Sequence, residues 1–150
     1  MRGKFFVDTN VFVYSFDNSA PTKQQQAREL IKSALQSGKG HISFQVIQEF
    51  FNVATRKFTS PMILSSGKEY LDKVFMQLEV VYPDGEYIKT ALDLAETTGY
   101  SLYDSLILAA ALKAECTTLF TEDMQDGQKV HNLTIVNPFS IVDPKNETVC

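Results

Sequence analysis

Four acidic residues stand out from the eighteen in the chain because each is embedded in apolar sequence. They are Asp8, Glu49, Asp104 and Asp123. Asp8 directly follows Phe5-Phe6-Val7, and Glu49 lies between Val46-Ile47 and Phe50-Phe51. A carboxylate that faces a protein interior costs free energy unless a cation or hydrogen bonds compensate for the lost water. The pattern therefore predicts that these four acids belong to a functional site and are not ordinary charged residues of the surface.

Carboxylates that share one crevice repel one another and raise one another's pKa values unless a counter-ion is bound. Ligation by oxygen alone suits Mg²⁺ or Mn²⁺ better than zinc. Such cations activate water for in-line attack on phosphorus and neutralise the leaving oxygen. The residue types thus predict a site for one or two divalent cations that can hydrolyse a phosphodiester bond.

Each of the four acids also has a purely structural interpretation. Asp8 is a candidate N-cap of the helix that follows it, and Ser101 and Asp104 have the spacing of a capping-box variant. Glu49 would ordinarily lie on the solvent edge of an amphipathic helix, and Asp123 could be a loop acid or a cap. The metal site is favoured because separate elements place acids where one crevice is expected.

Short strands alternate with helices along the chain. Strand patterns cover residues 4–7, 41–43, 79–82, 117–121 and 133–136. Helical patterns cover residues 22–37, 44–57, 65–76, 84–98 and 103–114, and residues 11–16 form a short helix or turn. The alternation predicts an α/β fold, an α/β/α sandwich with a central parallel sheet of four or five strands. In such sheets the functional crevice lies at the carboxyl ends of the strands, where Asp8 and Asp123 would point.

The composition is that of a soluble globular protein, with 44% hydrophobic and 21% charged residues. We expect one domain over residues 1–143 and a polar, disordered tail over residues 144–150. The sequence contains neither an apolar run of about 18 residues nor the apolar segment of a signal peptide, so we expect a cytoplasmic protein. Cys116 and Cys150 lack the close spacing of a CxxC site and are expected to be reduced thiols.

The formal net charge of −4 bears on possible nucleic-acid partners. A protein that relies on general electrostatics to bind nucleic acid should be basic, so the charge argues against a high-affinity sequence reader. It does not argue against a nuclease whose bound cations neutralise phosphate locally.

Short motifs follow one another at compatible spacings from Lys4 to about Phe139. They are Phe6-Val7-Asp8-Thr9-Asn10-Val11, Gln48-Glu49-Phe50, Tyr103-Asp104-Ser105-Leu106-Ile107, the run from Leu119 to Gly127, and Asn137-Pro138-Phe139. Each is weak alone, but in this order they resemble the PIN-domain ribonucleases, and specifically the VapC-type toxins of toxin–antitoxin pairs. The resemblance implies a PIN-like α/β/α fold and Mg²⁺- or Mn²⁺-dependent cleavage of RNA.

The resemblance also implies roles for individual residues. It makes Asp8, Glu49, Asp104 and Asp123 the metal-binding and catalytic acids, Asn10 and Thr121 their hydrogen-bonding supports, and Asp126 an acid for a second metal. Asp126 has an equally good interpretation as a turn residue before Gly127. The resemblance further implies a homodimer that is inhibited by a small antitoxin protein.

One residue departs from the pattern of many relatives. Glu122 stands beside the last acid, where those relatives carry a basic or polar residue. Its side chain could join the outer shell of a metal or point to solvent, and we expect it to point to solvent. Arg56 and Lys57, at the end of the helix that carries Glu49, are the first candidates for contacts with RNA. Lys23, Arg28 and Lys32 are weaker candidates.

Two other functions are compatible with parts of the sequence. A phosphatase resembling the haloacid dehalogenases would use Asp8 as a nucleophile, and Glu122 and Asp126 resemble the acidic pair of that family's last motif. Those enzymes have a second aspartate where this chain has Asn10, which disfavours the idea. A non-catalytic PIN-type module that binds RNA or protein is disfavoured because all four expected acids are present.

Overall fold

The computed structural model describes residues 3–140. Helices and strands alternate as the sequence predicts. The strands are β1 (Phe5–Val7), β2 (Gly40–Ser43), β3 (Glu79–Val81), β4 (Thr118–Phe120), β5 (Lys129–Val130) and β6 (Leu133–Val136). The helices are α1 (Thr9–Tyr14), α2 (Pro21–Ser37), α3 (Phe44–Arg56), α4 (Leu64–Lys73), α5 (Gly85–Thr98) and α6 (Leu102–Lys113), with a 3₁₀ turn at Phe75–Gln77.

Local sequence sets where the helices begin and end. Ser43, Asp84 and Ser101 accept backbone hydrogen bonds at the N-termini of α3, α5 and α6, and this satisfies amides that have no partner within the helix. Gly38 and Gly99 follow the last residues of α2 and α5 with φ of 72° and 79°. A left-handed conformation at that position favours glycine, so both helices stop where the sequence predicts.

The six strands form one sheet in the order β3-β2-β1-β4-β6-β5. The first five in this order are parallel, and β5 pairs with β6 in the antiparallel direction. The α/β fold is therefore confirmed, as is a parallel sheet of five strands. The two-residue β5 was not predicted, and it extends the sheet to six strands.

The strand order places a crevice beside β1. From β1 the chain builds the sheet outwards through β2 and β3 on one side, and through β4 and β6 on the other. Such a reversal opens a crevice at the carboxyl ends of the two strands where it occurs, here β1 and β4. β1 is fully buried, so the residues that follow it are held on a rigid support.

The remaining differences from the sequence predictions are local. The helix expected over residues 65–76 ends at Lys73 and gives way to the 3₁₀ turn. Cys116 is buried as a free thiol, whereas Cys150 and the predicted tail over residues 144–150 lie outside the described residues. Within residues 3–140, none of the helices has the length and apolar character needed to cross a membrane.

Candidate active site

All four predicted acids line one cleft at the carboxyl ends of β1 and β4. Its volume is about 360 Å³. Asp8 follows β1, Asp123 lies in the loop after β4, Glu49 is on α3 and Asp104 is in the first turn of α6. Four separate elements thus contribute one carboxylate each, which is the juxtaposition that the sequence predicts.

Asp8 is the most deeply buried of the four, with 4% of its surface exposed. Its Oδ1 accepts a hydrogen bond from the amide of Thr9 at 2.7 Å, and its Oδ2 accepts one from the hydroxyl of Thr121 at 2.8 Å. The pKa of Asp8 is raised to about 7, mainly by burial and to a smaller extent by the charges of Asp123 and Glu49, whereas the two hydrogen bonds act to lower it. Asp8 therefore caps α1 and also lines the cleft, so its two sequence interpretations are compatible.

Thr121 connects Asp8 to Asp123. Its buried hydroxyl donates to Asp8 and accepts from the amide of Asp123 at 3.1 Å. Asn10 donates from Nδ2 to Oδ2 of Asp123 at 3.1 Å and to the hydroxyl of Thr121 at 3.5 Å. Both residues therefore contact the acids as the predicted supports should.

Glu49 is held from two sides. Its Oε1 accepts from the hydroxyl of Thr9 at 3.0 Å and from Nε2 of Gln45 at 3.5 Å. Gln45 also donates to the carbonyl oxygen of Tyr103 at 3.3 Å and accepts from the hydroxyl of Tyr87 at 3.4 Å. These contacts turn Glu49 towards the cleft and away from the solvent edge of its helix.

Asp104 combines the capping geometry with a place in the cleft. Its amide donates to the hydroxyl of Ser101 at 3.1 Å, so the predicted cap is present. The pKa of Asp104 is raised, first by partial burial and then by the charge of Asp123. A helix N-terminus ordinarily favours a charged carboxylate, so the raised pKa indicates that the cleft itself disfavours negative charge.

The donor set fits a hard divalent cation. All the charged groups of the described residues that line the cleft are carboxylates, so its charged donor atoms are oxygens. A bound cation stabilises carboxylates whose negative charges repel one another. Oδ1 of Asn10 adds a further oxygen that is buried without a hydrogen-bond partner. In residues 3–140, however, no three acidic, histidine or cysteine side chains are arranged so that they could hold one ion. The acids share a cleft but do not form a finished coordination shell.

Two acids near the end of the site lie differently from what the sequence suggested. Glu122 does not simply point to solvent: its Oε1 accepts from the hydroxyl of Tyr14 at 2.8 Å, and its Oε2 forms a 2.6 Å ion pair with Lys23. The expectation for Glu122 is therefore wrong, because a cation on α2 lies within reach. Asp126 is exposed and accepts from the amide of Asn137 at 2.8 Å and from the hydroxyl of Ser140 at 3.3 Å. Asp126 lies outside the cleft, so the structure agrees with its interpretation as a turn residue.

The two basic residues proposed for RNA are exposed at the end of α3. Lys57 lines a second cavity of about 740 Å³, which shares the side chains of Val13 and Val53 with the acidic cleft. Arg56 lines neither of these two cavities. Of the two, Lys57 is thus the one that lines a cavity adjoining the acidic cleft.

Sequence reasoning assigned no role to Gln45 or Tyr103, which both line the cleft. Gln45 precedes Glu49 by one helical turn, and residues spaced by four share a helix face, so this spacing could have identified it. Tyr103 lines the cleft and is 68% exposed. Its position next to Asp104 was the available clue.

Comparison with known proteins agrees with this geometry. The model of the PIN domain family matches residues 5–125. No curated protein matches the chain. The family match disfavours the phosphatase interpretation, and of that motif's acidic pair only Glu122 lines the cleft with Asp8, whereas Asp126 does not.

Solved structures share the fold at low sequence identity. A toxin–antitoxin complex from Klebsiella pneumoniae has a TM-score of 0.67 at 16% identity, with 90% of this chain and 98% of that chain covered. DNA-bound VapBC from Salmonella typhimurium has a TM-score of 0.59 at 18% identity, with 89% and 96% covered. VapC20 of Mycobacterium tuberculosis, described as a toxin that cleaves the sarcin-ricin loop, has a TM-score of 0.56 at 16% identity, with 80% and 92% covered.

Proposed function

This chain belongs to the PIN domain family, and on that premise we propose that it is a divalent-metal-dependent endoribonuclease, the toxin of a toxin–antitoxin pair. The observation that carries the proposal is the convergence of four carboxylates from four elements on one cleft at the carboxyl ends of β1 and β4. RNA is the proposed substrate class because the ordered motifs resemble the ribonucleases of the family, and the structurally similar VapC20 is described as a toxin that cleaves the sarcin-ricin loop.

Asp8, Glu49, Asp104 and Asp123 would hold one or two Mg²⁺ or Mn²⁺ ions. When bound, the cation supplies a Lewis acid that activates water and neutralises the departing oxygen. The protein's own contribution is to fix the carboxylates before the substrate arrives. Thr121 and Asn10 hold Asp8 and Asp123 relative to each other, through hydrogen bonds of 2.8 and 3.1 Å.

Glu49 is suited to bind the cation or to orient the attacking water. Both hydrogen bonds that it accepts from described residues fall on Oε1. Its Oε2 is therefore available to a cation or to a proton of water. A general base must lie within hydrogen-bond reach of the proton that it takes, and the contacts with Thr9 and Gln45 restrict Glu49 to the cleft side.

The decisive experiment is an RNA cleavage assay with Mn²⁺ or Mg²⁺ that compares the wild type with Asp104→Asn. The matched control is Asp126→Asn, which removes a nearby acid that lies outside the cleft. We expect cleavage by the wild type and by Asp126→Asn, and a loss of at least about a hundredfold in Asp104→Asn, the scale of losing a transition-state electrostatic contact.

Three outcomes would contradict the proposal. Cleavage that persists in excess EDTA would contradict the requirement for a divalent cation. Full activity of Asp104→Asn would contradict the proposed active site. Folded wild-type protein that binds RNA without cleaving it, with either metal, would instead indicate a non-catalytic PIN module.

The proposal extends to partners and location. We propose that the protein acts in the cytoplasm as a homodimer that a small antitoxin inhibits, as the family resemblance implies. Three of the solved relatives are described as a toxin–antitoxin complex or as VapBC bound to DNA. Light scattering of the purified chain tests the dimer. Growth arrest on expression of the chain, relieved by a separately expressed partner, tests the toxin role.

A further inference from the structure

Lys23 occupies an unusual position for a lysine of an exposed helix. Its ammonium forms a 2.6 Å ion pair with Oε2 of Glu122 and lies 3.3 Å from the hydroxyl of Tyr14. The same ammonium lies 4.7 Å from the centroid of the Tyr14 ring and 5.6 Å from that of Phe139. Four contacts from three other segments of the chain therefore hold one cation in place.

This cation lies at the rim of the acidic cleft. Its partners Tyr14 and Glu122 both line the cleft. The lining contains five carboxylates and, among the described residues, no lysine, arginine or histidine. An RNA strand that enters carries one negative charge per phosphate, so it needs positive charge beside the cleft in addition to the metal ions inside it.

The geometry leaves the Lys23 ammonium able to accept a further ligand. An ammonium has three N–H donors, and the carboxylate of Glu122 and the hydroxyl of Tyr14 use two of them. The side chain is 38% exposed, so the third donor has access to solvent. A phosphate oxygen is a suitable acceptor for a charged donor of this kind.

We propose that Lys23 binds a phosphate of the RNA strand at the rim of the cleft, through the N–H donor that its contacts with Glu122 and Tyr14 leave available. The inference rests on the proposed ribonuclease function and adds to it a substrate-binding residue. The competing interpretation is an ion pair that only fastens the loop after β4 to α2.

Two other ion pairs of the chain provide matched controls. Lys73 pairs with Glu69, and Lys113 pairs with Asp84, each at 2.6 Å. None of these four residues lines the acidic cleft. Replacing Lys73 or Lys113 by glutamine removes the same charge and an ion pair of the same length, but away from the proposed path of the RNA.

The test measures binding of a fluorescent single-stranded RNA of mixed sequence, with Mg²⁺ present, in the Asp104→Asn background. We expect Lys23→Gln to weaken binding about tenfold at low salt. We also expect the slope of log K against log salt to become shallower by about 0.7, the value for one phosphate contact on a single strand. Lys73→Gln and Lys113→Gln should change the slope by much less, and Lys23→Arg should restore it.

The replacement Glu122→Gln separates the two interpretations. If the ion pair has only a structural role, replacing either of its two residues removes it. Lys23→Gln and Glu122→Gln would then have similar effects on RNA affinity. A phosphate contact predicts opposite effects, because Glu122→Gln removes a negative charge beside the phosphate and leaves the ammonium. RNA affinity that falls in both variants would overturn the proposal, as would an unchanged salt slope in Lys23→Gln.

Failure of the inference differs from failure of the proposed function. If the wild type cleaves RNA and the salt slope does not depend on Lys23, only the role of Lys23 is wrong. If the folded wild type neither binds nor cleaves RNA, the ribonuclease function and the phosphate contact are both overturned. Thermal melting of each variant checks that it is folded before binding is compared.

Discussion

Replacing Asp8 by asparagine is expected to stabilise the metal-free protein at alkaline pH while it abolishes RNA cleavage. Asp8 is 4% exposed, and burial is the main cause that raises its pKa from 3.8 to about 7. Between these two pH values the folded state keeps a proton that the unfolded state has released. The free energy of unfolding therefore falls as the pH rises through this window, and the loss is complete above about pH 7.

The size of the effect follows from the two pKa values. One pKa unit corresponds to about 1.36 kcal/mol, so the raised pKa of Asp8 lowers the free energy of unfolding by about 4 kcal/mol at pH 8 and by about 1 kcal/mol at pH 4.5. Asparagine removes this cost but brings an NH₂ group against the hydroxyl of Thr121. That hydroxyl already accepts hydrogen bonds from Asp123 and Asn10, and the mismatch costs about 1 kcal/mol. The expected net gain is about 3 kcal/mol at pH 8 and about zero at pH 4.5.

Urea denaturation in excess EDTA at the two pH values measures this difference directly. Taking the difference between variant and wild type at each pH cancels the titration of most other groups. A variant that is destabilised equally at both pH values would refute the reasoning. It would mean that the hydrogen bonds of the Asp8 carboxylate to Thr9 and Thr121 outweigh the cost of burying its charge.

Three further predictions concern the cation, Glu49 and Asp126. Mn²⁺ at about one hundred times its Kd should stabilise the folded wild type by about 2.7 kcal/mol, which is measured as a higher Tm. Asp123→Asn should lose most of this increase in Tm, and an equal increase in both proteins would exclude Asp123 as a ligand. Gln45→Leu should lower kcat about tenfold with little change in KM, because Glu49 then keeps only the hydroxyl of Thr9 as a partner on Oε1; an unchanged kcat would show that Gln45 does not position Glu49. Asp126→Ala should lower the free energy of unfolding by about 1 kcal/mol through loss of its hydrogen bonds in the turn. It should leave the rate of RNA cleavage unchanged, and a large loss of activity would show that Asp126 belongs to the active site.

Elements with a clear periodic pattern could be predicted from the sequence, because local rules and the fold agree there. α5 is the clearest case: Asp84 caps its N-terminus and Gly99 follows its last residue in the left-handed conformation. The parallel strands β1 and β4 are short apolar runs between helices, and both lie within a residue or two of their predicted ranges.

The strand β5 could not be predicted, for a physical reason. It has two residues, Lys129 and Val130, of which the first is exposed and the second buried. Two residues carry no periodicity, and the pairing of β5 with β6 depends on contacts beyond the local sequence. The end of α4 is similar, because the chain keeps an apolar pattern through Phe75 while the backbone turns into a 3₁₀ geometry.

In the candidate site, too, local patterns could be read from the sequence, whereas contacts between distant segments could not. Asp8 and Asp123 could be predicted to meet, since parallel topology alone brings the carboxyl ends of neighbouring strands together. The environment of Glu122 could not, because Lys23 lies ninety-nine positions away along the chain and no local rule pairs them. A carboxylate beside another acid, here Asp123, adds repulsion unless a cation compensates for it. The ion pair with Lys23 supplies that compensation, so the negative charge of Glu122 beside Asp123 is balanced by a lysine that α2 carries within reach.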